Sequence, residues 1–148
     1  MTALFFMVQS RPMTKGTIEN KQQRTPTILM IDDDKFMREI FSRRFTKEGF
    51  SFAEAMSGEQ GLKMAKELKP DLILLDVLMP ILDGFEVLGK LKSDPELASI
   101  PVIMLTSLGN QDDIDRGLQG GAVDYMLKSH TPPLDAITIV RKALNKGP

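Results

Sequence analysis

Cysteine and tryptophan are missing from this 148-residue sequence, and tyrosine and histidine occur once each. Without cysteine there is no disulfide, no thiolate nucleophile and no thiolate metal site, and a reducing, cytoplasmic setting is the simplest expectation. A lone histidine, His130, supplies no cluster for a transition metal and reads as a loop residue. An excess of one charge is lacking too: 19 Lys and Arg against 20 Asp and Glu leave a net of -1. Such a chain exerts no general pull on nucleic acid or an anionic membrane, so neither is an expected direct partner. No apolar run approaches the roughly 20 residues of a membrane helix.

What is present fits one domain preceded by a different kind of segment. Residues 1–26 begin with a short apolar run, Ala3 to Val8, and continue as a polar, aperiodic stretch to Pro26. Neither the basic start nor the cleavage site of a secretory signal is there. The segment reads as a disordered leader or an over-extended start, with Met13 available as initiator; a sharper alternative has the apolar run docking on a partner. The domain itself is placed at residues 27–146.

From Thr27 onward apolar runs alternate with amphipathic segments, as in consecutive strand–helix units of a parallel sheet. Strands are expected at Thr27 to Asp32, Phe50 to Ala55, Asp71 to Asp76, Val102 to Thr106 and Ala122 to Lys128. Helices are expected near Lys35 to Glu48, Ser57 to Leu68, Gly84 to Lys92, Gln111 to Gly117 and Pro133 to Asn145. Phe36, Met37, Ile40, Phe41 and Phe45 form a buried stripe at helical spacing, and Leu134, Ile137, Val140 and Leu144 form another. Ser57 with Gln60 reads as a capping box, and Thr131 as the cap before Pro132 and Pro133. Gly117, Gly120 and Gly121 make the fourth helix the weakest, either for mobility or for close packing.

Ile28–Ile31, Leu72–Leu75 and Val102–Leu105 are continuously apolar, as strands covered on both faces must be. The second and fifth strands are mixed and belong at the edges. The predicted fold is therefore α/β: a doubly wound five-stranded parallel sheet of order 2-1-3-4-5, flavodoxin-like, in three α/β/α layers.

In such sheets ligands bind beyond the carboxyl ends of the strands where the order reverses. The first strand ends in Asp32-Asp33-Asp34, the third in Asp76, the fourth in Thr106-Ser107 and the fifth in Lys128. Each has a bland explanation: an acidic helix start, a turn cap, a buried hydroxyl, an exposed strand end. Those explanations do not account for four strands presenting reactive groups at one end. Carboxylates 4 Å apart repel by about 4 kcal/mol at an effective dielectric near 20. Mg²⁺ offsets this, since it takes one or two carboxylates plus phosphate oxygens and keeps several waters. A carboxylate beside Mg²⁺, with Lys and Thr near, suits formation of an aspartyl phosphate.

The ordered set ILMIDDD, LILLDVLMPILDG, IPVIMLTS and GAVDYMLK resembles the receiver domain of bacterial two-component response regulators, over roughly Thr27 to Asn145. The resemblance implies that Asp76 accepts a phosphoryl group from a sensor histidine kinase or a histidine phosphotransfer protein. It implies Mg²⁺ held by Asp33, Asp76 and the backbone carbonyl of Leu78, with Asp32 acting through water. Thr106 and Lys128 would engage the phosphoryl oxygens, and Tyr125 would turn inward as Thr106 moves. Pro80 and Asp83-Gly84 match the turn after the acceptor. The change of charge would reshape the face of the fourth helix, fifth strand and fifth helix, signalling to an unidentified effector protein. A stand-alone regulator that is not itself an enzyme, monomeric or dimerising on phosphorylation, is expected.

Two features depart from the pattern. The family usually has Pro after the strand-five Lys, through a cis bond, whereas Ser129 follows Lys128. A cis bond there costs roughly 2.5 to 4 kcal/mol, which predicts either a strained loop or another path. Leu78 and Leu108 stand where the family's side chains flank the attacking water, and apolar groups there imply slow self-dephosphorylation. The alternative to a phosphorylated switch is a degenerate receiver that acts as a phosphorylation-independent adaptor. A phosphatase of the haloacid dehalogenase type needs a carboxylate where Leu78 stands, and a flavodoxin-type cofactor site needs hydroxyls where the three aspartates stand.

Overall fold

The computed structural model describes residues 24–146, so the apolar run Ala3 to Val8 and most of the expected leader lie outside the described residues. The last leader residues are tied to the domain. Arg24 Nη2 donates to Asp71 Oδ1 at 2.7 Å, and the Pro26 carbonyl accepts from the Ser51 amide at 2.9 Å.

Among the described residues five strands alternate with five α-helices. The strands are β1 (Thr27–Ile31), β2 (Ser51–Ala55), β3 (Leu72–Leu75), β4 (Val102–Thr106) and β5 (Asp124–Leu127). The helices are α1 (Lys35–Lys47), α2 (Gly58–Leu68), α3 (Gly84–Ser93), α4 (Gln111–Gln119) and α5 (Pro133–Asn145). Every pairing is parallel and the order is β2-β1-β3-β4-β5, as the sequence predicts. β3 and β5 are shorter than expected and leave Asp76 and Lys128 in the turns beyond them.

Strand alternation divides the core into two layers. Ile28, Met30, Leu72, Leu74, Ile103 and Leu105 pack with Phe41, Phe45, Ile137 and Val140 of α1 and α5. Leu29, Ile31, Ile73, Leu75 and Met104 pack on the other side, with Ala65, Val87, Leu88 and Leu91 of α2 and α3. Being covered twice is why β3 and β4 read as unbroken apolar runs, each fully buried side chain contributing about 1.5 to 3 kcal/mol.

The helix stripes are narrower than expected. Phe41 and Phe45 stack at 5.9 Å between ring centroids, but Phe36 is 68% exposed. Five residues at 100° each put Phe36 about 140° around the helix from Phe41, off the sheet-facing side. Leu134, at 53% exposed, lies likewise off the face that buries Ala136, Ile137 and Val140.

Two caps also differ. Ser57 Oγ accepts from the Gln60 amide at 3.1 Å, yet Gln60 Oε1 reaches back to the Met56 amide at 2.7 Å, one residue before the cap. Thr131 is buried and does not cap α5, whose N-cap is Pro132 without a side-chain bond. The complete capping box is at α3, where Asp83 and Glu86 bond each other's amides at 2.9 and 3.0 Å. In α4 the close-packing reading of Gly117 holds: a Cβ there would lie 3.1 Å from the Tyr125 ring and 3.3 Å from Met104.

Candidate metal centre

β1 pairs with both β2 and β3, so the order reverses between β1 and β3. The ladder carries each aspartate one residue past its strand. The Asp32 amide donates to the Ala55 carbonyl and the Asp76 amide to the Ile31 carbonyl, both at 3.0 Å. Asp32 and Asp76 are thereby held side by side at the switch point, 1% and 4% exposed, while Asp33 is exposed at the rim. One carboxylate oxygen from each of Asp32, Asp33 and Asp76 lies within 4.8 Å of the others.

Lys128 reaches this cluster from the end of β5. Its Nζ lies 2.8 Å from Asp32 Oδ2 and 3.2 Å from Asp76 Oδ2. The residue sits in a short 3₁₀ turn, Lys128–His130, and there is no cis peptide bond among the described residues. The departure at Ser129 is accommodated by another path, which still delivers the ammonium. Burial pulls that ammonium down, but the two carboxylates outweigh it and hold it above its ordinary value. Burial pushes the Asp32 carboxyl up to about 6, and the Asp76 charge pushes the same way, against the Lys128 contact. Asp32 Oδ2 has the charge of Lys128 beside it but accepts no well-directed hydrogen bond.

The remaining partners make the carboxylate oxygens inequivalent. Asp76 Oδ1 accepts from the Val77 amide at 2.8 Å, leaving Oδ2 toward Lys128. Asp32 Oδ1 accepts from the Asp34 amide at 2.9 Å. Asp34 is the helix cap that the bland reading expected, its Oδ1 accepting from the Phe36 and Met37 amides at 3.0 and 3.2 Å. The Asp run thus divides its labour: Asp34 starts α1, while Asp32 and Asp33 join the cluster.

Thr106 ends β4 fully buried, its Oγ1 accepting from the Leu108 amide at 3.4 Å. The Tyr125 hydroxyl donates to the Leu108 carbonyl at 2.9 Å. Thr106 and Tyr125 are therefore coupled through one loop, with Tyr125 already tethered to it. Burial, with the charges of Asp113 and Asp76 behind it, raises the Tyr125 phenol above its ordinary value. Leu78 is 54% exposed and Leu108 half-buried, and both line a groove with Val77, Met79 and Pro80.

The donors suit a hard divalent cation. They are carboxylate oxygens, one of them buried without a directed hydrogen bond, and among the described residues no backbone donor occupies the Leu78 carbonyl. One contributor, Arg38, escaped sequence reasoning, and another, Gly84, was legible only as part of a turn. Arg38 donates to the Asp32 carbonyl at 2.8 Å and pairs with Glu54 at 3.2 Å, contacts that require β2 beside α1. Gly84 packs against the Asp76 and Val77 backbone so closely that no Cβ fits. The Asp83-Gly84 turn was expected from the sequence; the close backbone approach that demands glycine there is what the structure adds.

The model of the response regulator receiver domain family matches residues 28–138. The chain belongs to this family. The receiver is 42% identical over 103 residues to the transcriptional regulatory protein AfsQ1 of Streptomyces coelicolor, covering 70% of this chain and 44% of that protein. It is 39% identical over 112 residues to the response regulator PleD of Caulobacter vibrioides, covering 76% and 24%. The chain thus spans less than half the length of these curated relatives. Among solved structures it is similar to the signal receiver domain of a histidine kinase from Syntrophus aciditrophicus, with TM-score 0.75, 30% identity and coverage of 82% and 92%. The BeF3-activated receiver domain of Klebsiella pneumoniae RstA matches with TM-score 0.74 and 28% identity, covering 80% and 97%. No described helix is long and apolar enough to cross a membrane.

Proposed function

We propose that this receiver is a phosphorylation switch in which Asp76 takes a phosphoryl group from a phosphohistidine of a sensor kinase or phosphotransfer protein. An Asp76 oxygen attacks phosphorus, the P–N bond breaks, and its electron pair leaves with the imidazole; the product is an aspartyl phosphate. Asp33, Asp76 and the Leu78 carbonyl would hold Mg²⁺ directly and Asp32 through water, and the ion's chemistry is to neutralise charge on the transferring oxygens. The observation that carries this reading is the cluster itself, three carboxylates within 4.8 Å with the Lys128 ammonium bridging two of them. The chain is then a signal carrier in the cytoplasm, not an enzyme in its own right, and its output passes to an effector protein through α4, β5 and α5. The adaptor alternative drew on Ser129, and Lys128 meets both carboxylates despite that residue.

Intact mass after incubation with Mg²⁺ and acetyl phosphate tests the proposal. We expect a gain of one phosphoryl group in the native protein, none in Asp76→Asn and none when Mg²⁺ is chelated. Equal gain in native and Asp76→Asn proteins, or none in either, overturns it.

Leu78 and Leu108 set the lifetime of that product. Neither can orient a hydrolytic water, so Leu78→Asn and Leu108→Glu are expected to shorten the phosphoryl half-life several-fold, less than the roughly 10² to 10⁴ of a fully positioned general acid or base. Decay followed by intact mass decides it, and unchanged half-lives in both variants count against the idea.

A further inference from the structure

Asp33 is the exposed member of the cluster, and among the described residues its carboxylate is engaged in no hydrogen bond or ion pair. Its position depends on the turn that carries it. Within the turn, Asp32 Oδ1 holds the Asp34 amide at 2.9 Å and Asp34 caps α1. From outside it, Arg38 Nη1 donates to the Asp32 carbonyl at 2.8 Å, which fixes the plane of the peptide leading into Asp33. The Arg38 side chain is only 12% exposed, and its Nε is held 3.2 Å from Glu54 Oε1. Glu54 lies on β2, in register with Met30 of β1. An edge strand is thereby connected through one guanidinium to the backbone of the acidic turn.

We infer that Arg38 is a positioning residue for divalent-cation binding, fixing the Asp32–Asp33 peptide so that Asp33 meets the ion without rearrangement, with Glu54 fixing Arg38. The inference rests on the metal reading of the cluster given above. Guanidinium suits this role because its planar fork serves a carbonyl and a carboxylate at once, which an ammonium cannot do with the same geometry. The charge of Arg38 by itself works in the opposite direction. A cation near the cluster repels Mg²⁺, so simple electrostatics predicts tighter binding when the charge is removed, whereas positioning predicts weaker binding.

The test is titration of MgCl₂ into native, Arg38→Met, Glu54→Gln and Glu54→Ala proteins, followed by backbone amide NMR shifts, with melting temperatures measured in parallel. Methionine keeps much of the buried stem while removing the guanidinium. We expect Arg38→Met to weaken Mg²⁺ binding roughly tenfold, Glu54→Ala to weaken it about threefold, and Glu54→Gln, which keeps an acceptor, to stay near native. In the metal-free proteins, exchange of the Asp34 amide, held by Asp32 Oδ1, should quicken in Arg38→Met while that of the last turn of α1 does not. Unchanged or tighter Mg²⁺ binding in Arg38→Met overturns the inference, and a lowered melting temperature with native affinity reduces Arg38 to a structural residue. Absence of Mg²⁺ binding by the native protein at millimolar concentration overturns the metal reading itself, and the inference with it.

Discussion

Gly84→Ala is expected to lower the melting temperature by roughly 10 °C and to cut phosphoryl incorporation at Asp76 more than tenfold. Gly84 is the first residue of α3, buried, with its amide donating to the Val77 carbonyl at 2.8 Å. An added Cβ would collide with the Asp76 carbonyl oxygen and stand 2.7 Å from Val77 Cα. Those atoms are backbone, so no side chain can swing aside. Either α3 withdraws, loosening the Asp83–Glu86 box and the packing of Val87, Leu88 and Leu91, or the Asp76–Val77 peptide turns. The second movement displaces the Val77 amide from Asp76 Oδ1, and with it the orientation of the carboxylate proposed as acceptor. Overpacking of this kind costs about 1 to 3 kcal/mol, and a rigid backbone neighbour places it at the upper end. In a domain of this size about 3 kcal/mol corresponds to roughly 10 °C. Gly89→Ala is the control: it lies in the same helix, an added Cβ meets nothing within 4 Å, and alanine there gains up to about 1 kcal/mol of helix propensity. Thermal unfolding and intact mass on both variants check the pair, and native behaviour of Gly84→Ala would refute the steric argument.

The same contrast explains what was legible in the sequence. Strand identity and order were readable because β1, β3 and β4 are covered on both faces and can only be apolar throughout. The gathering of Asp32, Asp33, Asp76 and Lys128 was readable because parallel topology sends the carboxyl ends of all strands to one side of the sheet, whereas Thr106 ends β4 at that same side with its hydroxyl turned to the Leu108 amide. The course of the chain after Lys128 was not, since whether Ser129 forces strain or a detour depends on the 3₁₀ turn that the chain finds there. Arg38 looked like one polar position among many on α1, because its partners belong to β1 and β2 and no local spacing announces them. Phe36 was misplaced by counting apolar residues without following their angle around the helix, and Thr131 by reading a preferred cap type where Pro132 takes the position. Local patterns carried the framework; contacts between elements far apart in the chain decided the details of the site.

Asp32→Asn should stabilise the metal-free protein at pH 8 by up to about 3 kcal/mol while weakening its hold on Mg²⁺. Asp32 is 1% exposed, and burial first, then the Asp76 charge, raises its carboxyl from 3.8 to about 6. A carboxyl raised on folding keeps its proton in the folded state to a higher pH than in the unfolded chain. Stability is therefore unaffected by this group below pH 4, falls as pH rises from about 4 to 6, and stays reduced above that. At about 1.4 kcal/mol per pH step the penalty reaches about 3 kcal/mol, the value that a neutral amide removes. Asparagine still offers Lys128 an acceptor, so the cation is not stranded. Urea unfolding of both proteins at pH 4, 6 and 8 should find a gap that opens as pH rises, and a native protein more stable than the variant at pH 8 would contradict it. For the native protein Mg²⁺ affinity should fall as pH drops through 6, because a proton then occupies a carboxylate that the cation would otherwise draw on. Burial beside Asp76 thus costs stability whenever the Asp32 carboxylate is charged, beyond what the Lys128 ammonium offsets. A divalent cation held at the cluster would offset that cost, which is why the Mg²⁺ affinity and the urea stability of native and Asp32→Asn proteins are expected to move in opposite directions.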